Sequence, residues 1–156
     1  MATVYLSLGT NLGDKKRNMT TAAGLLAERM GEILALSHLY ETKPWGFESE
    51  NTFLNAAIAL ETPMEPFELL DATKQIERDM GRKEKSNGSY KDRLIDIDIL
   101  MYEDVIIQTE ELTIPHPLMH ERSFVIGPLA EIAATCEHSI LKKTIGELYL
   151  SLSVDS

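Results

Sequence analysis

The stretch Arg93–Leu100 constrains the fold of this chain more than any other. It reads Arg-Leu-Ile-Asp-Ile-Asp-Ile-Leu. Isoleucine recurs at every second position, which is the period of a β-strand, and it gives the strand one face made only of isoleucine. The opposite face carries Asp96 and Asp98, roughly 6–7 Å apart along the strand. Aspartate is depleted in strands, and a half-buried carboxylate is costly unless it is paired or binds a metal, so this face is a candidate functional site.

Two carboxylates on one strand face suit a divalent cation. Mg²⁺ prefers oxygen ligands and keeps coordination positions for water and substrate phosphates, so Asp96 and Asp98 are candidate ligands. On the strand alone, metal binding and an ordinary solvated face are about equally supported. The preceding segment, 81–93, favours the metal because five of its 13 residues are Lys or Arg in a chain of net charge -10. Cationic side chains beside the carboxylates are what a metal–polyphosphate site requires.

The overall composition excludes several classes of partner. A length of 156 residues with 44% hydrophobic content predicts a single globular domain, 1–156. The acidic balance, with a pI of about 4.8, argues against general binding to nucleic acid or anionic membrane. Cys136 is the only cysteine, so an intramolecular disulfide and a cysteine zinc cluster are excluded. With no visible leader or apolar stretch of membrane-spanning length, we expect a cytoplasmic protein. We also expect it to be a monomer.

Hydrophobic periodicity predicts the element order β-α-β-β-α-β, followed by a hairpin and helices. This order matches the split-βαβ, ferredoxin-like pattern, an α+β fold whose antiparallel sheet carries helices on one face, here with a C-terminal helical extension. The predicted strands are Thr3–Leu8, Ile33–Tyr40, Phe53–Leu60 and the aspartate strand. The predicted helices are one with Met19 and Leu26 on its buried face, one from about Pro66 to Gly81, and two at Val125–Ala134 and Thr144–Leu150.

Four further residues invite a functional interpretation without deciding it. Phe53 and Asn55 share one face of the third strand with small alanines, which leaves room for a flat group, although a surface-facing Asn fits equally. Trp45 lies in an irregular segment, where it either folds back on the core or covers an aromatic ligand. Glu77 occupies the last full turn of its helix, where an acid is unfavourable to the dipole, yet a solvated Glu is the better supported interpretation there.

Taken in order, these motifs resemble the 6-hydroxymethyl-7,8-dihydropterin pyrophosphokinases of folate biosynthesis, from the first strand to about Ala133. The most specific part is the Asp-Ile-Asp strand with its preceding arginine, together with the turn Pro115-His116-Pro117. The other matching segments are Tyr5–Asp14, Glu41–Gly46, Phe53–Ala56, and Glu77 with Gly81-Arg82.

The resemblance implies an enzyme that transfers pyrophosphate from ATP to the hydroxymethyl oxygen of a reduced pterin and releases AMP. Asp96 and Asp98 would bind two Mg²⁺ ions, with Asp98, Arg82 and Arg93 as catalytic residues. The nucleotide would be contacted by Glu77, Arg82, Arg93, Ile99, His116 and Arg122. The pterin would lie between Phe53 and Phe124, with its edge read by Asn55 and the backbone of Thr42, Lys43 and Trp45.

The sequence departs from the family pattern in the basic segment. Many members have Arg-Trp-Gly-Pro-Arg before the aspartate strand, whereas this chain has Ser89-Tyr90-Lys91-Asp92-Arg93. Two alternative functions stay open at this stage. A ferredoxin-like module that senses a small molecule would bind ligand without consuming ATP, and a metal-dependent phosphohydrolase would release phosphate from ATP without any pterin.

Overall fold

A computed structural model describes residues 1–42, 52–81 and 94–155, with side chains described up to residue 152. The elements are, in order, β1 (Ala2–Thr10), α1 (Lys15–Arg29), β2 (Glu32–Leu36), β3 (Tyr40–Thr42), β4 (Phe53–Thr62), α2 (Pro66–Gly81), β5 (Asp96–Tyr102), β6 (Ile107–Gln108), β7 (Thr113–Ile114), α3 (Ser123–Ala133) and α4 (Ile145–Asp155). A short 3-10 helix, Met119–Glu121, precedes α3. None of the described helices combines the length and apolar character needed to span a membrane.

The main sheet confirms the predicted ferredoxin-like arrangement. Its strand order is β2-β4-β1-β5, every pair is antiparallel, and β3 continues the pairing along β4 beyond β2. The long strands β1 and β4 lie at the centre, whereas β5 lies at an edge of the sheet that the described residues form, where its one partner strand is β1. Within the described part of the chain, the aspartate strand therefore has a central strand on one side and no paired strand of this sheet on the other.

The sheet separates two apolar cores. On one face, Leu6, Ile58 and Ile97 pack with the buried residues of α1 and α2. On the other face, Ala57 and Met101 pack with residues of α3 and α4. The predicted C-terminal extension is thus the layer that covers the second face of the sheet, and it leaves part of that face open beside β5 and β3.

The predicted second strand, Ile33–Tyr40, is wrong in one respect, because the structure divides it into β2 and β3. The break occurs at Ser37, whose backbone N–H donates to the carbonyl of Ala57 at 2.9 Å. The Ser37 hydroxyl in turn accepts the N–H of Ala57 at 2.9 Å. The Ser37 hydroxyl here replaces a backbone carbonyl as the acceptor for the Ala57 N–H. Regular pairing with β4 therefore stops at Ser37 and resumes at Tyr40. His38 lies in the break, exposed, with its Nδ1 2.8 Å from the Glu131 carboxylate on α3.

Local capping explains where α1 begins and ends. The Asp14 side chain accepts a hydrogen bond from the N–H of Arg17 at 3.1 Å and so caps the N-terminus of the helix. Gly31 follows the helix, where a Cβ would lie 1.9 Å from the carbonyl oxygen of Glu61. The helix can therefore return to the sheet at this point only through glycine.

Candidate active site

The two aspartates project from the same face of β5. Ile95, Ile97 and Ile99 are at most 6% exposed and belong to the core, which confirms the predicted isoleucine face. Asp96 and Asp98 point to the opposite side, where both are half-buried. Their neighbours across the sheet are Gly9 and Ser7 of β1. Small residues on β1 leave the space above the carboxylates open.

A first cavity, which we call the aromatic cavity, opens on this face of the sheet. It has a volume of about 170 Å³. Its lining combines residues from β1, β3, β4 and β5 with the beginning of α3: Ser7, Gly9, Thr42, Phe53, Asn55, Asp96, Asp98, Arg122, Phe124 and Val125. Two aromatic rings from different elements and a buried amide thus face the same space, which suits a flat ligand with a polar edge.

The amide of Asn55 is held inside this cavity. Asn55 is 4% exposed, and its Nδ2 donates to the hydroxyl of Thr42 at 2.8 Å. The two residues lie diagonally across the β3–β4 pair, in which Thr42 is opposite Phe53. Gly9 flanks the amide from β1, where a Cβ would lie 3.2 Å from Asn55 Oδ1. Three strands therefore determine how this amide is presented.

Arg122 brings a positive charge to the aromatic cavity. Its guanidinium carbon lies 5.8 Å from the centre of the Phe124 ring, within the range of a cation–π contact. Both residues stand at the start of α3, whose backbone N–H groups at Val125 and Ile126 bond back to the Arg122 carbonyl. The helix thereby fixes a cation and an aromatic ring side by side.

A second cavity, which we call the polar cavity, lies on the other side of the same carboxylates. It has a volume of about 360 Å³ and is lined by α2, β5 and the β6–β7 hairpin with the turn that follows. Its lining includes the predicted residues Glu77, Ile99 and His116, and again Asp96 and Asp98. The two aspartates are common to both cavities, so groups bound in the two cavities meet at these carboxylates.

Glu77 is not the solvated surface residue that its sequence position favoured. Its carboxylate accepts a hydrogen bond from the N–H of Ile97 at 2.8 Å and so occupies the open edge of β5. The pKa of Glu77 is raised to about 7, mainly by burial and also by the neighbouring Asp96 and Asp98 carboxylates, against the Ile97 hydrogen bond, which lowers it. A cation bound at Asp96 and Asp98 would relieve that repulsion.

The surroundings of His116 favour its neutral form. Burial lowers the pKa of its imidazole, and the Arg122 guanidinium acts in the same direction, whereas Asp96 opposes both. Its Nδ1 accepts the N–H of Leu118 at 3.3 Å, and its backbone N–H donates to the Leu100 carbonyl at 2.9 Å. His116 is thus fixed in the polar cavity as a hydrogen-bonding group rather than as a permanent charge.

The donor set at Asp96 and Asp98 fits Mg²⁺ that is shared with a ligand. Among the described residues, no group of three or more His, Cys, Asp or Glu is placed to hold a metal ion by itself. Two carboxylates on one strand face leave the remaining octahedral positions to water and phosphate oxygens, which is the usual arrangement for Mg²⁺ bound with a nucleotide.

The structure brings most of the predicted site residues together. Thr42, Phe53, Asn55, Arg122 and Phe124 line the aromatic cavity, and the polar cavity contains the others that are described. The predicted residues Lys43, Trp45, Arg82 and Arg93 lie outside the described part of the chain.

Sequence reasoning missed several residues of the two cavities. Ser7 lines the aromatic cavity, and Thr73 and Lys74 line the polar cavity. For Ser7 the strand alternation was visible, but the register that places it opposite Asp98 was not. For Thr73 and Lys74 a signal was available, since they precede Glu77 by four and three residues and therefore share its side of α2.

Sequence comparison relates residues 5–134 to the family described as 7,8-dihydro-6-hydroxymethylpterin-pyrophosphokinase (HPPK). A 2-amino-4-hydroxy-6-hydroxymethyldihydropteridine pyrophosphokinase of Porphyromonas gingivalis is 50% identical over 135 residues, covering 85% of this chain and 92% of the relative. The enzyme of the same name from Aquifex aeolicus is 43% identical over 147 residues, covering 94% of this chain and 90% of the relative.

Structure comparison agrees on the fold. A crystal structure of an HPPK-DHPS protein in complex with substrates superposes with a TM-score of 0.77 at 19% sequence identity, covering 99% of this chain. A Plasmodium falciparum HPPK-DHPS structure gives a TM-score of 0.73 at 19% identity and covers 97%. This chain spans 44% and 43% of those two longer chains, respectively.

Proposed function

The chain belongs to the 7,8-dihydro-6-hydroxymethylpterin-pyrophosphokinase family, and we propose that its two cavities hold the two substrates on either side of Asp96 and Asp98. The enzyme transfers pyrophosphate from ATP to 6-hydroxymethyl-7,8-dihydropterin in folate biosynthesis. The observation that carries the proposed arrangement is that the same two carboxylates line both cavities.

In this arrangement the aromatic cavity takes the pterin. Phe53 and Phe124 contact the two faces of the ring, and stacking favours a flat, electron-poor heterocycle. Asn55 hydrogen-bonds to the polar edge of the pterin ring, together with the backbone of Thr42. The backbone of residues 43 and 45 takes part as well; these two residues lie outside the described part of the chain. The hydroxymethyl group then points along the cavity towards Asp96 and Asp98.

The polar cavity takes ATP. Its lining from α2 and β5 contacts the nucleoside, with Glu77 and Ile99 on that side, while His116 donates to a phosphate oxygen. The described lining carries five acidic side chains, Glu77, Asp96, Asp98, Glu110 and Glu111, against the single lysine Lys74. A triphosphate therefore needs further positive charge, which we assign to Arg122, to Arg82 and Arg93 of the basic segment, and to two Mg²⁺ ions.

The reaction requires positioning and charge neutralisation more than covalent catalysis. The hydroxymethyl oxygen forms a bond to the β-phosphorus, the bond from that phosphorus to the α,β-bridging oxygen breaks, and AMP leaves. Mg²⁺, when bound, neutralises charge on the phosphate oxygens and orients them. Asp98, which borders both cavities, accepts the alcohol proton. Arg82, Arg93 and Arg122 stabilise the negative charge that moves to the leaving AMP.

The test is a product analysis with purified protein, Mg²⁺ and ATP, with and without 6-hydroxymethyl-7,8-dihydropterin. We expect AMP and the pterin diphosphate in equal amounts, and only when the pterin is present. ADP or inorganic phosphate formed without the pterin would instead support a phosphohydrolase. Pterin binding without any consumption of ATP would support a sensing module.

We also propose that residues 1–156 act as one domain, as a monomer and in the cytoplasm. The support is a single main sheet with a core on each face, and one cysteine, Cys136, whose Sγ lies 3.0 Å from the Tyr5 hydroxyl. Sedimentation at micromolar concentration tests the monomer, and a sedimenting species of twice the mass would contradict it.

A further inference from the structure

The central strand β1 contributes one hydroxyl to the aromatic cavity, that of Ser7. Ser7 is 8% exposed, and among the residues that the structure describes its hydroxyl forms no hydrogen bond. A hydroxyl that is largely removed from water is unfavourable unless it finds a partner, and it can both donate and accept. The Ser7 hydroxyl is therefore available to a ligand in this cavity.

The strand register places Ser7 between a carboxylate and an apolar side chain. Its neighbour on β5 is Asp98, and its neighbour on β4 is Ala57. Ala57 is 1% exposed and belongs to the core beneath α3 and α4, so it offers no polar side-chain group. Residues directly opposite each other in an antiparallel pair have Cβ atoms about 4.5–5.5 Å apart. A ligand atom that contacts the Asp98 carboxylate is thus within reach of the Ser7 hydroxyl.

The proposed pterin has to cross β1 to reach the aspartates. Asn55, at the polar edge of the ring, lies on β4 opposite Gly9, whereas Asp98 lies on β5, the other neighbour of β1. Adjacent strands are about 4.8 Å apart, so a ligand that joins β4 to β5 spans about 10 Å across the sheet. Gly9 keeps the middle of this path free of a side chain. Ser7 stands at its far end, level with Asp98, where the hydroxymethyl group arrives.

We propose that the Ser7 hydroxyl donates a hydrogen bond to the hydroxymethyl oxygen of the pterin and orients it for attack. The inference rests on the proposed function. The hydroxymethyl oxygen carries one proton and two lone pairs. In the proposed reaction the proton goes to Asp98 and one lone pair forms the bond to the β-phosphorus, which leaves the second lone pair for Ser7. Ser7 is therefore a positioning residue, which restricts rotation of the hydroxymethyl group and takes up no proton itself.

The test uses two ligands that differ only in this oxygen, 6-hydroxymethyl-7,8-dihydropterin and 6-methyl-7,8-dihydropterin. Titration calorimetry measures the Kd of each in the presence of Mg²⁺ and α,β-methylene-ATP, whose carbon bridge prevents the release of AMP. The ratio of the two Kd values is the preference for the hydroxyl. Ser7→Ala removes the donor, and Ser7→Cys replaces it with a weaker one. Ser139→Ala is the matched control, because Ser139 is 7% exposed and lines neither cavity.

We expect Ser7→Ala to lower the preference for the hydroxyl about fivefold, because one neutral hydrogen bond is lost. Binding of the 6-methyl compound should stay within about twofold of the wild type, since that ligand has no oxygen for Ser7 to contact. Ser7→Cys should give an intermediate preference. In AMP formation with ATP, kcat of Ser7→Ala should fall about fivefold as well, because the attacking oxygen is less well oriented. Ser139→Ala should match the wild type throughout.

Two results would overturn the inference. An unchanged preference in Ser7→Ala would show that the hydroxyl does not contact the ligand oxygen. Equal weakening of both ligands would show that Ser7 shapes the cavity without recognising that oxygen. If Ser7→Ala does not fold, Ser7→Cys gives the same readout, with a smaller expected change. Wild-type protein that forms no AMP with the pterin would refute the proposed function itself, whereas normal wild-type turnover with an unaltered preference in the variants would refute only this inference.

Discussion

The aromatic and polar cavities share two carboxylates but are built on different principles. The aromatic cavity is assembled from the sheet and the first turn of α3, and its polar groups are neutral or cationic apart from the shared aspartates. The polar cavity lies between α2 and the β6–β7 hairpin, and its described lining is dominated by acidic side chains. In the proposed arrangement, one cavity is suited to read a flat neutral ring, and the other would accept a triphosphate only with added cations.

This difference separates two kinds of recognition within one small domain. In the proposed arrangement, ring recognition would depend on groups held by strand pairing, such as Asn55, whose amide bonds to the Thr42 hydroxyl in the absence of ligand. Phosphate recognition would depend on charge, because the Asp96 and Asp98 carboxylates, which raise the pKa of Glu77, would become favourable only with bound cations. Substitutions that affect one cavity, the other, or both test whether the division is real.

The largest expected effect is for Asp98→Ala, which touches both cavities. We expect kcat to fall by about 10³-fold, since charge neutralisation at the reacting phosphate is lost together with the proton acceptor. AMP formation at saturating substrates measures it, with an unchanged melting temperature as evidence of folding. Asp104→Ala, in the exposed turn after β5, is the matched control. Wild-type turnover in Asp98→Ala would contradict the assignment of Asp98 to the active site.

Phe53→Ala tests the aromatic cavity alone. The KM for the pterin should rise about tenfold through lost stacking, while the dissociation constant of ATP with Mg²⁺ stays within about twofold. Steady-state rates at saturating ATP give the KM for the pterin, and titration calorimetry with ATP and Mg²⁺ gives the dissociation constant. Phe67→Ala is the control, because Phe67 is 42% exposed on α2 and lines neither cavity. An equal loss of ATP affinity would show that the two cavities are not independent.

The same division explains what the sequence predicts well. Alternation along 94–100 predicts a strand with one buried isoleucine face, because a period of two is a local property of the chain. The order of strands and helices in this α+β fold is predicted for the same reason, since hydrophobic periodicity is also local. The placement of Asp96 and Asp98 on the open face also needs only this period, so the centre of the site was visible without a structure.

Other features depend on register and could not be predicted. Thr42 meets Asn55 only because β3 pairs with β4 at one particular offset, and Ser37 interrupts the preceding strand only because its hydroxyl meets Ala57. The role of Glu77 at the edge of β5 likewise requires the packing of α2 on that strand. Such contacts join residues that are distant in sequence, and no local pattern encodes them.

His116→Ala tests the polar cavity alone and should have a smaller effect than Phe53→Ala. Because burial lowers the pKa of His116, the imidazole contributes a hydrogen bond rather than a full charge at pH 7. We expect the KM for ATP to rise about fivefold, with pterin binding unchanged. His38→Ala, at an exposed site outside both cavities, is the control. A shift in pterin affinity of the same size would contradict the assignment of His116 to the nucleotide side.

The smallest expected effect is a change in the stability of the folded protein, and it involves Glu77 of the polar cavity alone. The pKa of Glu77 is raised to about 7, mainly by burial, above its ordinary value of 4.5, so between these pH values the folded state holds a proton that the unfolded state has lost. The stabilisation of the folded state by the protonated Glu77 is therefore fully present below about pH 4.5, and it is lost as the pH rises through 7.

In metal-free protein, Glu77→Gln keeps an oxygen acceptor for the Ile97 N–H but removes the titration. We expect the variant to gain stability relative to the wild type as the pH rises from 5 to 8. The gain should not exceed about 1 kcal/mol, because the carboxyl is only half-buried and solvent screens it. Thermal unfolding in EDTA at several pH values measures the gain, with Glu28→Gln on the exposed face of α1 as control. Added Mg²⁺ should shrink the difference by offsetting the carboxylate repulsion, and a difference that is constant with pH would show that Glu77 does not titrate in this range.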